Sequence, residues 1–248
     1  MWKDENILET RQLTRRFGGL VAVGQLDLTV RHGELLALIG PNGAGKTTLF
    51  NLICGRLSPT EGEIFFKGRN ITGLRPDRIS HLGIARTLQI TSIFQGLTVF
   101  DNVWVAAQSR MRFFNPLVKT ARFRDLHASV TGTLEKLGLA DKGGILASEL
   151  SYGDQRLLEI AIALATRPSL LLLDEPTSGL SGVEAETVTQ TVAELVRSVD
   201  VILVEHDMGV VMNLADRVVV LHEGRIIADG SPDQISKNEL VQEVYLGG

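Results

Sequence analysis

The sequence has 248 residues, of which 44% are hydrophobic and 22% charged, with a formal net charge of −4. That length suits one α/β domain with a lobe attached, and the mildly acidic balance excludes general nucleic-acid binding. A single cysteine, Cys54, rules out an internal disulfide, and no apolar run approaches the ~20 residues that span a bilayer.

The opening M-W-K-D-E-N has no signal-peptide pattern. A cytosolic protein, or one tethered to a membrane only through another chain, is therefore expected. Up to about Ile90 the chain reads as a β-rich start, a phosphate-loop unit and a return strand, Glu63 to Lys67. Within that stretch the apolar run Leu35 to Ile39 predicts a buried strand. It is followed by G-P-N-G-A-G-K-T-T, Gly40 to Thr48, and by a predicted helix from Thr47 to Cys54. Gly40, Gly45, Lys46 and Thr47 fit the P-loop pattern G-x-x-x-x-G-K-[ST]. The glycines let successive N–H groups face one anion, and the helix N-terminus adds partial positive charge. Lys46 supplies a point charge for the β- and γ-phosphates of ATP, and Thr47 a hydroxyl for Mg²⁺. Cys54 falls on the apolar side of this helix and reads as a core residue.

From about Thr91 to Ala165 the pattern is mainly helical, with breaks at Asn115-Pro116 and Gly143-Gly144. Trp104 lies on an apolar helix face and reads as core. Arg110 to Arg124 interleaves basic residues with Phe113, Phe114 and Phe123. It reads first as a solvated helical face, and second as a contact for a membrane partner or lipid headgroups. In L-S-Y-G-D-Q, Leu150 to Gln155, Ser151 is a natural N-cap. Leu157, Leu158, Ala161, Ile162 and Leu164 give the following helix an apolar face, so its N-terminus is a second anion site.

After Thr166 strands and helices alternate again. Ser169 to Asp174 and Asp200 to Val204 are predicted strands, with a helix from Gly182 to Arg197 between them, which implies a parallel sheet. The leucine run Leu170 to Leu173 reads as a strand buried on both faces. It ends in Asp174, placed to hold Mg²⁺, and Glu175, placed to polarise an attacking water. Val218 to Leu221 and Arg225 to Asp229 predict a hairpin. His32, His81, His127 and His222 have no metal-ligand spacing.

Taken in order, these motifs resemble the ATP-binding-cassette (ABC) ATPases over essentially the whole chain. L-S-Y-G-D-Q is similar to the family's signature sequence, Gln89 to its Q-loop glutamine, His206 to its switch histidine, and Ser178 to Ser181 to its D-loop. Phe17, in R-R-F-G-G-L-V-A-V, matches the aromatic that stacks on adenine. H-L-G-I-A-R-T-L-Q, L-T-V-F-D-N-V, V-E-H-D-M and the ending V-Y-L-G resemble the subgroup that powers uptake of branched-chain amino acids and related amides.

The resemblance implies an α/β fold: a RecA-like P-loop core, an antiparallel β subdomain and a helical subdomain. The core and β parts would cover about 1–90 and 166–248, and the helical signature part about 91–165. It implies nucleotide contacts from Phe17, Val23, Gly40, Asn42, Gly43, Ala44, Gly45, Lys46, Thr47 and Thr48. The signature residues Ser151, Tyr152, Gly153 and Asp154 of a second subunit would complete the site. Catalysis would fall to Glu175, His206 and Gln89, with Mg²⁺ held by Thr47, Gln89 and Asp174.

Two subunits, identical or paralogous, would pack head to tail and drive integral-membrane permease subunits from the cytoplasmic face of the inner membrane. A periplasmic solute-binding protein would be an indirect partner, and nucleic acid none. The permease would dock near Thr91 to Val103, at Ile93, Phe94 and Phe100. Two residues depart from the family pattern. Asp154 stands where a neutral amide is usual, and Ser181 where the D-loop has aspartate. A soluble ABC-type ATPase stays open as an alternative, and a P-loop kinase as a weaker one that leaves Gln89, Leu150 to Gln155 and His206 unexplained together.

Overall fold

The computed structural model describes residues 6–87, 93–109 and 120–246. In chain order the first elements are β1 (Asn6–Phe17), β2 (Leu20–Arg31), β3 (Leu35–Ile39), α1 (Lys46–Ile53), β4 (Glu61–Phe66), β5 (Arg69–Asn70), α2 (Pro76–Leu82) and β6 (Ile84–Arg86). The helical stretch holds α3 (Val99–Gln108), α4 (Thr120–Lys136) and α5 (Tyr152–Ala165), with short 3₁₀ turns at Ala140–Lys142 and Ala147–Glu149. The rest is β7 (Leu170–Asp174), α6 (Gly182–Leu195), β8 (Asp200–Val204), α7 (Met208–Leu214), β9 (Arg217–His222), β10 (Arg225–Gly230), α8 (Pro232–Ser236) and α9 (Glu239–Leu246).

Two sheets result. An antiparallel sheet has the order β2-β1-β4-β5, and a six-stranded sheet the order β10-β9-β3-β8-β7-β6. In the second, β6, β7, β8, β3 and β9 run parallel and β10 returns antiparallel as the predicted hairpin. Strands β3, β7 and β8 are buried at every position. That burial explains their unbroken apolar sequences, since both faces are covered. β6 escaped sequence reading because three residues show no period.

The side chains of β7 and β8 split between two cores with a period of two. Leu171, Leu173, Val201 and Leu203 face α5 and α6, where they meet Leu158, Ala161, Val188 and Val192. Leu170, Leu172, Ile202 and Val204 face the antiparallel sheet and α1, where they meet Leu8, Leu13, Val30 and Phe50. Helix α1 is thus clamped between the sheets, and the loop that precedes it is fixed at both ends. The first core also takes in α3 and α4 through Val99, Val103, Val130 and Leu134. Helices α3, α4 and α5 therefore form a lobe seated on one edge of that core. Trp104 packs partly buried against the same core, stacked 5.7 Å from Phe100. Cys54 is half-buried beside the second core, and desolvation pushes its thiol up to about 11.

The break at Asn115-Pro116, and most of the basic-aromatic stretch, lie outside the described residues. Among the described residues no helix is long and apolar enough to cross a membrane.

Leu158 is fully buried where the lobe meets the sheet. Leu158→Ala removes apolar contact and leaves a cavity, so it should destabilise the fold by about 2–5 kcal/mol. Urea unfolding checks this, and a loss under 1 kcal/mol would mean that the site collapses around the smaller residue.

Candidate nucleotide-binding and hydrolysis site

The phosphate loop leaves β3 at Ile39 and enters α1 at Lys46. Two glycines press it against neighbouring backbone. A Cβ at Gly40 (φ 149°) would lie 2.1 Å from Leu221 O, and one at Gly45 (φ 106°) 2.5 Å from Ala22 O. Only glycine permits either approach. Lys46 is buried, and its Nζ donates to Gly40 O (2.6 Å) and Pro41 O (3.0 Å). Burial lowers its pKa, while the charges of Glu175 and Asp174 pull the other way. The ammonium is thus tied to the loop it would neutralise.

Phe17, Asn42, Gly43, Ala44, Gly45, Lys46, Thr47, Thr48, Glu175 and His206 line one cleft, as the motif order leads one to expect. Leu20 and Ala22 line it too and escaped sequence reading. Val23 does not belong with them. It is fully buried in the core between the sheets, because alternation along β2 presents Ala22 to the cleft and Val23 to the interior. Phe17 lies at the rim, 42% exposed, with the Arg15 guanidinium 4.6 Å from its ring centroid. Gly40 shapes the loop from beneath. Gln89 lies outside the described residues.

The two acids that end β7 have different surroundings. Asp174 is buried and accepts from Arg86 Nη2 at 2.5 Å. Arg86 also donates to Asn51 Oδ1 (2.7 Å) and lies 5.3 Å from the Phe50 ring centroid. Glu175 adopts φ 50°, a left-handed conformation that non-glycine residues rarely hold. Its N–H donates to Val204 O at 2.8 Å, and its Oε1 lies 2.5 Å from His206 Nε2. Glu205, also buried, accepts from Thr177 N–H (3.0 Å), Thr177 Oγ1 (2.6 Å) and His206 N–H (3.1 Å). It ties Thr177, two residues past Glu175, to His206. Arg86 and Glu205 were missed, though a base ending one strand and an acid before the histidine could have signalled them.

Thr47 and Asp174 offer hard oxygen donors, as Mg²⁺ requires. Among the described residues no cluster of three His, Cys, Asp or Glu side chains could hold a metal alone. This donor set fits a magnesium ion bound chiefly through nucleotide phosphates, with a few protein oxygens added.

Ser151 caps α5 by accepting from Asp154 N–H at 3.1 Å. Residues 151–154 do not line the P-loop cleft, so the single chain does not join its two anion sites. Around the signature the contacts are specific. Lys142 Nζ donates to both Asp154 oxygens at 2.7 Å. Tyr152 packs against Gly179, and its hydroxyl accepts from Arg156 Nη2 at 2.8 Å. Ser181 forms a capping box with Glu184 at the start of α6, and Glu184 Oε1 also accepts from Gly153 N–H at 3.2 Å. The Ser181 hydroxyl, and then the Ser181 and Gly153 N–H groups, hold the Glu184 carboxyl below its ordinary pKa.

The expected docking segment is only partly exposed. Ile93 is buried in the helical core and Phe100 is half-buried against Trp104 and His127, whereas Phe94 is 56% exposed. Helix packing claims the first two. Thr91 and Ser92 lie outside the described residues.

A glycine-pinned phosphate loop, a strand-end acid pair and a histidine just past the neighbouring strand define a P-loop nucleotide-binding cassette. Comparison with known proteins narrows the class. The family described as ABC transporter matches residues 23–178, and one described as branched-chain amino acid ATP-binding cassette transporter matches residues 225–248. The chain is 40% identical to the high-affinity branched-chain amino acid transport ATP-binding protein LivG of Salmonella typhimurium, covering 97% of this chain and 98% of that protein. It is 41% identical, over the same shares of each chain, to the corresponding protein BraF of Pseudomonas aeruginosa. The ADP conformation of an ATP-binding cassette of an ABC transporter superposes with a TM-score of 0.87 at 30% identity, covering 99% of this chain and 100% of that one. The chain belongs to the ABC transporter family of ATP-binding cassettes, ATPases that power transport.

The Asp174–Arg86 pair sits out of water, where a lone charge is expensive. Arg86→Met should therefore destabilise the protein by about 3–5 kcal/mol. The double change Arg86→Met with Asp174→Leu should recover most of that stability, because no unpaired charge remains. Chemical denaturation of the single and double variants measures the difference. No recovery in the double variant would show that Arg86 acts through Asn51 and Phe50 instead.

Proposed function

We propose that this chain is the ATP-hydrolysing subunit of an importer for branched-chain amino acids or a related small amide or amino-acid solute. The observation that carries the hydrolytic part of the reading is the Glu175–His206 contact of 2.5 Å in the cleft that also holds Lys46 and the P-loop; the transport part rests on the likeness to branched-chain amino acid transport subunits. Glu175 takes the proton of the attacking water, and His206 orients that carboxylate and contacts the γ-phosphate. Lys46 neutralises charge on the β- and γ-phosphates, and Phe17 stacks on the base. Thr47, Asp174 and Gln89 would hold Mg²⁺, which supplies further neutralisation of the phosphate oxygens. Gln89 also links the core to the helical lobe.

Ser151, Tyr152, Gly153 and Asp154 close on the ATP of a second subunit, identical or paralogous. ATP draws the two subunits together, hydrolysis releases them, and the motion is passed to integral-membrane permease subunits. The chain works as a peripheral subunit at the cytoplasmic face of the membrane, and a periplasmic solute-binding protein delivers the solute to the permease. The relatives named above are all transport subunits, which disfavours a soluble ABC-type ATPase.

Glu175→Gln should keep ATP binding and lose about 100-fold or more of turnover, as removal of a general base does. Lys46→Ala should lose ATP binding. With ATP, the Glu175→Gln chain should sediment as a dimer. Binding, turnover and sedimentation of the purified variants test all three, and normal turnover in Glu175→Gln would overturn the assignment.

Phe94, with Leu97 and Leu146 exposed nearby in the chain's contacts, marks the permease contact. A cysteine at Phe94 should crosslink to a coproduced permease, and Phe94→Asp should lower transport while the isolated subunit keeps its ATPase activity. Unaltered transport would place the contact elsewhere.

A further inference from the structure

We propose that Lys142 is a positioning residue for the second phosphate site, because it neutralises Asp154 at the start of the signature helix. The proposal rests on the reading above, in which this helix start receives the γ-phosphate of a second subunit's ATP.

Asp154 is the third residue of α5, one turn inside the Ser151 cap. A carboxylate there is attracted by the positive end of its own helix. It therefore competes with any outside anion for the same field, and a bare charge would repel a polyphosphate. The structure answers that problem from another segment. Lys142 reaches across from the 3₁₀ turn Ala140–Lys142 and places Nζ 2.7 Å from each Asp154 oxygen. The Ser151 hydroxyl donates to Oδ2 at 3.0 Å. The carboxylate is thereby held to the side, with its charge matched.

The lysine is itself well fixed. Its N–H donates to Leu139 O (3.1 Å) and its carbonyl accepts from Ile145 N–H (2.9 Å). Leu139 is fully buried and anchors the turn in the lobe. The lysine side chain is 32% exposed and the aspartate side chain 18%, so the pair is half-buried at the start of the signature helix. It therefore bears on folding as well as on the charge presented outward. Its worth to the second phosphate site lies in the charge presented to an incoming anion. Lys142 thus makes Asp154 electrically equivalent to the neutral amide usual at that position.

The test uses the full chain carrying Glu175→Gln, which holds ATP without turnover. Sedimentation reads ATP-dependent association, and a fluorescent ATP analogue at low protein concentration reads nucleotide affinity of the single subunit. Lys142→Ala should weaken association about tenfold, the scale of one uncompensated charge near a phosphate, with single-subunit affinity unchanged. Adding Asp154→Asn should restore association, and Lys142→Arg should retain it. Undiminished association in Lys142→Ala, or no restoration by Asp154→Asn, overturns the proposal while leaving the functional reading intact. If Lys142→Ala does not fold, Asp154→Asn alone decides: equal or tighter association supports the proposal, and weaker association overturns it. A Glu175→Gln parent that never associates with ATP overturns the functional reading, and the proposal with it.

Discussion

The parallel ladder of β3, β8 and β7 is the constraint on which the site depends. Leu35 to Leu38 pair with Val201 to Val204, and Leu170 to Asp174 pair with Asp200 to Val204. Parallel pairing in this register brings three strand ends to one edge of the sheet. The P-loop leaves the first, the Glu205-His206 pair the second, and the Asp174-Glu175 pair the third. A slip of one residue would turn each strand's side chains to the opposite core. It would also separate Glu175 from His206. The hydrophobic cores that fix the register therefore fix the geometry of the cleft as well.

Charge in the P-loop cleft and around the signature helix is balanced acid by acid. Asp174 is matched by Arg86, Asp154 by Lys142, and Glu175 faces His206. Glu205 and Glu184 are satisfied by hydroxyl and N–H donors of Thr177, Ser181, His206 and Gly153. A site built for a polyanion can hold many carboxylates only if each has its own donor, since preorganised partners need no rearrangement when substrate charge arrives. The left-handed Glu175 fits the same pattern. Its backbone is pinned to Val204 O, so the side chain is aimed by the neighbouring strand and not by its own conformational preference.

Much of this was legible in the sequence because the signals are local. The P-loop needs its glycines at fixed spacing. The buried strands need unbroken apolar runs, and β3, β7 and β8 show them. The signature helix carries its own cap at Ser151. What stayed hidden depends on partners far apart in the chain. Arg86 meets Asp174 across 88 positions, and nothing periodic marks β6. Lys142 belongs to a short turn whose sequence gives no helix or strand pattern. Val23 was assigned to the nucleotide because it closes a recognised segment, but alternation along a strand turns its side chain into the core and presents Ala22. Ile93 and Phe100 look exposed in sequence, yet Ile93 is buried in the lobe's core and Phe100 stacks on Trp104.

Ser181 shows how a departure from a family pattern becomes intelligible only in three dimensions. As a lost aspartate, it reads as a missing charge between two subunits. In the fold it is the N-cap of α6, and its partner Glu184 spans two structures at once. One Glu184 oxygen accepts from the Ser181 N–H and hydroxyl, and the other accepts from Gly153 N–H of the signature helix. A single carboxylate thus ties the D-loop to the signature within one chain. Under the proposed reading, a phosphate arriving at the signature would compete with Glu184 for that N–H group. The D-loop and the signature of one subunit are therefore coupled through hydrogen bonds, where an aspartate would have supplied a charge.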